Sequence, residues 1–238
     1  MNLNKISIVI LAGGLGTRLK DFRGTNTEKV LLEINGIPMI TKQIEQVLDW
    51  GFNLNNIVCI TNPNIDDSIQ KVNKDKFGSG IQHVIQPKPL GIAHAFSFAE
   101  DKISSEKILL VLGDNFFENN PFKKKEMISE NISNIFIKNV ENPKDFGVAE
   151  VEGSRIVSLE EKPENPKSNL AVVGLYLYKA DIFKKIKTLI PSERGELEIT
   201  DLNMKLIEDG DLSYNEIDGW WIDAGTPERI IELEAKIN

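Results

Sequence analysis

Residues 8–19 read IVILAGGLGTRL: an apolar run breaks into Gly13, Gly14 and Gly16 and is followed at once by Thr17 and Arg18. A buried strand ending in such a turn presents backbone N–H groups with little side-chain obstruction, and these suit a polyphosphate. Arg18 adds a cation, so nucleotide chemistry is the first expectation. The spacing fits neither a Walker A loop, which needs Gly-Lys-Ser/Thr after its gap, nor the G-x-G-x-x-G of a dinucleotide fold. Read alone, the segment is also compatible with an ordinary Gly-rich turn after a core strand.

The chain has 238 residues, enough to bury a full core in one large domain or two small ones. Its formal net charge of −8 argues against broad binding to nucleic acid or acidic lipid. The single cysteine, Cys59, lies in the apolar run IVCIT, where a buried reduced thiol is expected and a cytoplasmic setting follows. No apolar stretch reaches membrane-spanning length.

Strand-like runs at 6–12, 57–61, 81–86 and 107–112 alternate with helical patterns. One is carried by Met39, Ile40, Ile44, Val47 and Leu48, and a second runs from about Ile92 to Ile103. Such alternation predicts a Rossmann-like α/β fold, with a mixed, mostly parallel sheet between helices on both faces. After residue 113 the runs at 133–139, 146–151, 154–160 and 171–178 follow one another with few helices. VEGSR at 151–155 reads as a hairpin turn, so antiparallel additions are expected there. Helical patterns return near 181–189, 199–209 and from Pro227 onward. The whole is read as one domain whose two halves share a cleft.

LVLGDN places Asp114 at the end of an apolar strand, and WWIDAGT does the same for Asp223. Ligands gather beyond the carboxyl ends of strands in open α/β sheets. Two carboxylates at such places could grip Mg²⁺ together with phosphate oxygens, or each could simply cap the turn that follows.

LAGGLGTRL, EKVLLEINGIPMI, QPKPLGIAHAF, VLGDN, DFGVAEV, LEEKPENPKSNLAVVGLYLY, RGELEITDLN and WWIDAGT occur in this order and, with the apolar run before the first, span residues 8–226, nearly the whole chain. Together they resemble the sugar-1-phosphate nucleotidyltransferase family. The resemblance implies a nucleotide-diphospho-sugar transferase fold and a Mg²⁺-dependent transfer. A sugar 1-phosphate oxygen attacks the α-phosphorus of a nucleoside triphosphate, and pyrophosphate leaves. The leading substrates are dTTP, with UTP next, and glucose 1-phosphate. Charge neutralisation and in-line positioning suffice for this chemistry, so no general-base triad is required. His83 and His94 accordingly read as structural.

Position by position, the resemblance implies that Ala12, Gly13, Gly14, Gly16, Thr17 and Arg18 form the triphosphate loop, with Arg18 on the leaving pyrophosphate. Lys29 neutralises the same charge. Gln86 and Gly91 receive the base, and Asp114 and Asp223 hold the metal. Gly147, Val173, Gly174 and Tyr176 line the sugar, Glu161 holds its hydroxyls, Lys162 meets the phosphate under attack, and Arg194 grips the sugar phosphate. Glu196, Thr200 and Asp201 either position Arg194 or start the next helix. The nucleotide half is about 1–115, the sugar-phosphate half about 116–226, and a short helix covers 227–238.

Thymidylyltransferases of the family usually read K-Q-L-L-P where this chain has Lys29-Val30-Leu31-Leu32-Glu33, so strict thymine choice is in doubt and a glutamine at position 30 is expected to sharpen it. Phe146 replaces a common tyrosine, and Lys88 and Leu90 alter the base-side loop. The sequence ends twelve residues past Thr226, so a second, regulatory nucleotide site is not expected. The alternatives are a different triphosphate or sugar, or a non-catalytic nucleotide-sugar-binding subunit. A monomer or small homo-oligomer, with no nucleic-acid or membrane partner, completes the expectation.

Overall fold

The computed structural model describes residues 1–19, 22, 28–124 and 128–237. The first half runs through β1 (Ser7–Leu11), the short hairpin β2 (Glu33–Ile34) and β3 (Ile37–Pro38), α1 (Met39–Asp49), β4 (Ile57–Thr61), α2 (Asp66–Phe77), β5 (Gln82–Ile85), α3 (Ile92–Ser97) and β6 (Lys107–Leu112). Then come β7 (Asn115–Phe117), β8 (Ser133–Asn139), β9 (Gly147–Glu152), β10 (Arg155–Glu161), β11 (Leu170–Lys179), α4 (Ile182–Ile186), α5 (Ile199–Glu208), β12 (Leu212–Glu216), β13 (Trp221–Asp223) and α6 (Pro227–Lys236).

The main sheet has the order β10-β9-β11-β6-β1-β4-β5, with β8 also paired to β11 and β12 to β8. β6, β1, β4 and β5 are parallel to one another. The additions are antiparallel, as expected, except that β12 runs parallel to β8. From Ile8 onward β1 is apolar because helices cover both of its faces. Ile8 and Ile10 join Ile40, Ile44 and Val47 of α1 and Ile69 of α2 on one side. Val9 joins Phe96 of α3, Ile182 and Phe183 of α4 and Leu202 and Leu206 of α5 on the other.

Three expectations change. α2 carries only Ile69 as a fully buried apolar residue, so DDSIQKVNKDKF has too thin an apolar stripe to announce a helix; Asp66 and Asp67 in its first turn and Lys74 and Lys76 in its last suit the helix dipole. The helix expected over 92–103 stops at Ser97 and gives way to a separate 3₁₀ turn over Glu100–Lys102. Asp223 ends a strand, but not one of the main sheet: β13 pairs only with β7, in a two-stranded ribbon that sets Asp223 opposite Asn115. α6 starts where expected, with Thr226 Oγ1 accepting from the Arg229 amide and Pro227 in the first turn.

Phe96 is fully buried, stacks on Tyr178 at 5.8 Å and meets Phe183 at 5.0 Å, so it joins α3, β11 and α4. Phe96→Ala is expected to lower the unfolding free energy by about 3–5 kcal/mol in urea titrations. Ile190→Ala, at a position 80% exposed, should stay within about 0.5 kcal/mol of wild type. Similar losses for both would contradict this placement of the core.

Candidate active site

The glycine loop leaves β1 pinned to the neighbouring strand end. The Ala12 amide donates to the Ile60 carbonyl at 2.7 Å, and Asn62 Nδ2 donates to the Gly13 carbonyl at 3.0 Å. Around Gly14 a side chain would meet only open space, so the loop backbone is accessible. Gly16 has φ +56°, and a Cβ there would lie 2.6 Å from Lys29 Cβ; only glycine allows Lys29 to come this close. Thr17 and Arg18 are exposed at the mouth. Lys29 sits in a 3₁₀ turn, Lys29–Leu31, with its ammonium on Asp114 Oδ2.

Asp114 follows β6, and its neighbour Asn115 organises the centre. Asn115 Nδ2 donates to Asp114 Oδ1 at 2.7 Å, while its Oδ1 accepts from the Trp221 indole at 2.7 Å and from the Gly174 amide at 3.1 Å. The Ala224 amide donates to the Asp114 carbonyl at 2.8 Å, which locks the β7–β13 ribbon beside it. Burial opposes the Asp114 charge, but Lys29 and the Asn115 amide outweigh it and hold this carboxyl below its ordinary value. Burial and the Asp114 charge push Asp223 the other way, from 3.8 to about 6, against weaker help from Lys29, Arg18 and Arg229. Asp223 Oδ1 is shielded from solvent and has no hydrogen-bond partner among the described residues. A Cβ on Gly225 would lie 2.9 Å from that oxygen, 3.2 Å from an Arg18 guanidinium nitrogen and 3.5 Å from Lys29 Nζ, so all three groups meet there.

Beside this cluster opens a cavity of about 140 Å³, walled by Arg18, Phe146, Gly147, Glu161, Lys162, Val172, Gly174, Tyr176, Thr200 and Asp223 among others. Gly147 lies opposite Glu161 in the β9–β10 ladder, and a side chain on it would fill space next to Glu161 Oε2 and Thr200 Oγ1. Thr200 Oγ1 donates to Glu161 Oε2 at 2.7 Å, so Thr200 orients Glu161 and not Arg194. Arg194 is held chiefly by Glu198, with Nη2 to Oε1 at 2.9 Å, and reaches Glu161 at 3.7 Å and Glu196 at 3.8 Å. Asp201 lies in the first turn of α5. Lys162 has φ +46°, and its amide donates to the Phe146 carbonyl at 3.0 Å. The Tyr176 hydroxyl is held protonated by burial and then by the charges of Glu161, Asp114 and Asp223.

Val173 needs correction as a sugar-lining side chain. It is fully buried in the core on the α1 side, because β11 alternates faces and turns Val172, Gly174 and Tyr176 toward the cavity instead. Val30 is likewise buried in that core, 3% exposed, so a glutamine there would bury its amide among apolar groups and is no longer expected to sharpen base choice.

At the far end of the loop, Gln86 follows β5. Its amide N–H donates to the Thr61 carbonyl at 2.8 Å, and its side chain is buried against His94. Gly91 has φ +104°, and a Cβ on it would stand 2.4 Å from the Leu197 carbonyl oxygen. Its glycine is thus already required where the base-side loop meets the segment leading into α5. Cys59 is a buried free thiol pushed up to about 12 by burial and then by Asp66, which suits a structural residue. Asn115, Trp221, Thr200 and His94 are the site's residues that sequence reasoning missed or set aside. All four stood inside the quoted motifs, and adjacency to Asp114 was the signal for Asn115.

Residues 7–238 match the family model for nucleotidyl transferases. A glucose-1-phosphate thymidylyltransferase of Neisseria meningitidis is 41% identical over 94% of this chain and 80% of its own. A low-salt glycan biosynthesis nucleotidyltransferase of Haloferax volcanii is 34% identical over 94% of this chain and 64% of its own. Among solved structures, a Bacillus anthracis protein assigned as a glucose-1-phosphate thymidylyltransferase and crystallised with sucrose superposes with a TM-score of 0.84 at 36% identity, covering 98% of this chain and 96% of that one. A UDP-glucose pyrophosphorylase bound to UDP-glucose shares the fold, with a TM-score of 0.78 at 23% identity over 97% of each chain. The chain belongs to the nucleotidyl transferase family of enzymes. Within it, the chain is a sugar-1-phosphate nucleotidyltransferase.

The crowded carboxylates make a stability test. Asp223 binds its proton more tightly folded than unfolded, so its contribution is present below its ordinary value of 3.8 and is lost as pH rises through about 6. Asp223→Asn should therefore melt above wild type near about pH 8, with the gain shrinking toward about pH 4. Asp114→Asn removes the carboxylate that holds Lys29 and should give no gain at either pH. Equal loss from Asp223→Asn across the pH range would show that the two carboxyls do not repel one another.

Proposed function

We propose that the chain transfers a nucleotidyl group from dTTP, with UTP next, to glucose 1-phosphate, releasing pyrophosphate. An oxygen of the sugar phosphate forms the new bond to the α-phosphorus, and the α–β bridging bond breaks with its electron pair leaving on pyrophosphate. The observation that carries this reading is the convergence of Arg18, Lys29 and Asp223 at Gly225, beside a cavity that holds Glu161 and Lys162. Cations for a leaving group and for an incoming phosphate thus lie near one carboxylate pair.

In this reading the Gly13–Gly16 backbone and Arg18 hold the triphosphate tail, and Lys29 balances charge as pyrophosphate departs. Gln86 and the Gly91 backbone take the base. Gly147 leaves room for the sugar, Glu161 and Tyr176 face its hydroxyls, and Gly174 offers backbone. Lys162 and Arg194 meet its phosphate. Asp114 and Asp223 fit a hard divalent cation: both offer oxygen, and Asp223 Oδ1 lacks a partner among the described residues. Among the described residues no three His, Cys, Asp or Glu side chains cluster as a ready cage, so substrate oxygens or water would complete the shell. Mg²⁺, when bound, supplies positive charge to the phosphates undergoing exchange. Residues of about 1–115 and about 116–226 act as the two halves of one catalytic unit. A cytoplasmic enzyme suits the buried reduced Cys59, and a monomer or small homo-oligomer suffices because both halves of the cleft come from one chain.

A matrix of triphosphates against sugar 1-phosphates, read as pyrophosphate release, tests the reading. Turnover should need a divalent cation and be fastest with glucose 1-phosphate, with dTTP and UTP within about 10–200-fold of each other. Asp114→Asn and Asp223→Asn should each cost at least about 100-fold in kcat. Arg18→Ala and Lys29→Ala should lower kcat more than they raise the sugar KM. Release that persists with chelator, or a clear preference for CTP or GTP, would overturn it.

A further inference from the structure

We propose that Asn62 is a positioning residue for the nucleotide: it sets the polarity of the Gly13–Gly14 peptide, so that the glycine loop turns an N–H, and not a carbonyl oxygen, toward the triphosphate. The inference rests on the reading of the glycine loop as the triphosphate contact and goes one step further, to the residue outside the loop that gives this contact its sign.

Asn62 follows β4 and is 7% exposed. Its Oδ1 accepts from the Asn64 amide at 2.9 Å, and its Nδ2 donates to the Gly13 carbonyl at 3.0 Å. Both partners are backbone groups. The amide can only donate and the carbonyl can only accept, so the side chain fits one way round. Its own main chain is equally fixed: the Asn62 carbonyl accepts from the Ile65 and Asp66 amides, each at 3.2 Å, where α2 begins. The loop passes close by, since a Cβ on Gly13 would lie 3.0 Å from the Thr61 carbonyl carbon.

No peptide bond among the described residues is cis, so the carbonyl and the N–H of the planar Gly13–Gly14 unit point in opposite directions. With the Gly13 carbonyl bound to Asn62, the Gly14 N–H faces away from Asn62. It has no partner among the described residues, and Gly14 is exposed, with open space where a side chain would stand. Such a donor suits an anionic oxygen. The loop's own sterics do not keep it so, because the unit is flanked by two glycines and could turn over at little cost. Turned over, it would present the Gly13 oxygen to the phosphates. Asn62 opposes this: its Nδ2 would then meet the Gly14 N–H, donor against donor, and reversing the asparagine would only move the clash to the Asn64 amide.

The test uses the full chain and compares the KM for dTTP with that for glucose 1-phosphate in wild type, Asn62→Ser and Asn62→Asp. Serine can still accept from the Asn64 amide but is too short for Gly13; aspartate keeps the reach but sets oxygen against the Gly13 oxygen. Each should raise the dTTP KM at least about ten-fold while the glucose 1-phosphate KM stays within about two-fold. In glycine-labelled ¹⁵N NMR, dTTP should move the wild-type Gly14 amide proton downfield, and in Asn62→Ser this shift should shrink. In asparagine-labelled wild type, one of the two Asn62 side-chain hydrogens should be protected from exchange, which reads the bond even if a variant fails to fold. An unchanged dTTP KM in both folded variants, an equal rise in both KM values, or two unprotected Asn62 hydrogens would overturn the proposal alone. A wild-type Gly14 amide that does not respond to dTTP would instead overturn the reading of the loop as the triphosphate contact, and the proposal with it.

Discussion

Asp114 and Asp223 are far apart in the sequence but reach the same place, and a short ribbon of β7 and β13 holds them there through the Asp223–Asn115 pairing and the Ala224 amide. Two carboxylates in a largely buried setting repel strongly, because the low local dielectric leaves their charges poorly screened. Lys29 sits directly on Asp114, so the unbalanced charge falls on Asp223, whose pKa rises to about 6 and whose Oδ1 has no partner among the described residues. The fold tolerates this because Asn115 ties the cluster to β11 through Gly174 and to β13 through Trp221. Removing the excess charge would stabilise the fold, and keeping it holds two carboxylates close together at a cost.

The mixed sheet explains why the two halves of the cleft differ in kind. On the parallel side, strand ends release loops, and the glycine loop after β1 leaves open space around Gly14 and carries Arg18. On the antiparallel side, ladders fix side chains by register: Gly147 faces Glu161 across β9 and β10, and β11 alternates so that Val172, Gly174 and Tyr176 share one face. β6 borders both, with β1 on one edge and β11 on the other, so the residue that follows it, Gly113-linked Asp114, lies where the halves meet.

Much of this could be read from residue patterns, because apolar periodicity reports burial directly. β1, β4 and β6 are continuous apolar runs since both faces are covered, and the VEGSR turn needs its glycine, with Gly153 at φ +60°. α2 was hidden because its exposed surface outweighs the single buried stripe. The face that Val173 takes depends on the register of β11, which has an irregularity against β8 between Val172 and Tyr176, and local sequence carries no record of such a shift. His94 escaped for a related reason: a lone histidine on a helix has meaning only through Gln86, eight residues earlier, which the loop folds back onto it.

Backbone strain separates the end of β10 from an ordinary strand end. Among the described residues, two that are not glycine have positive φ, Asn35 at +51° and Lys162 at +46°. Asn35 stands in the β2–β3 turn before Gly36, where an asparagine adopts this conformation at little cost. Lys162 has no such excuse: its side chain gains nothing locally from the left-handed region, and the conformation costs about 1–3 kcal/mol. What holds it is the bond from its amide to the Phe146 carbonyl, and Phe146 in turn packs on Trp221 at 4.9 Å, next to Asp223. A glycine would relax the turn and remove the ammonium from the cavity wall. The strain is therefore the cost of placing a cation beside Glu161 at the end of β10, and its support runs through the same ribbon that keeps the two carboxylates together.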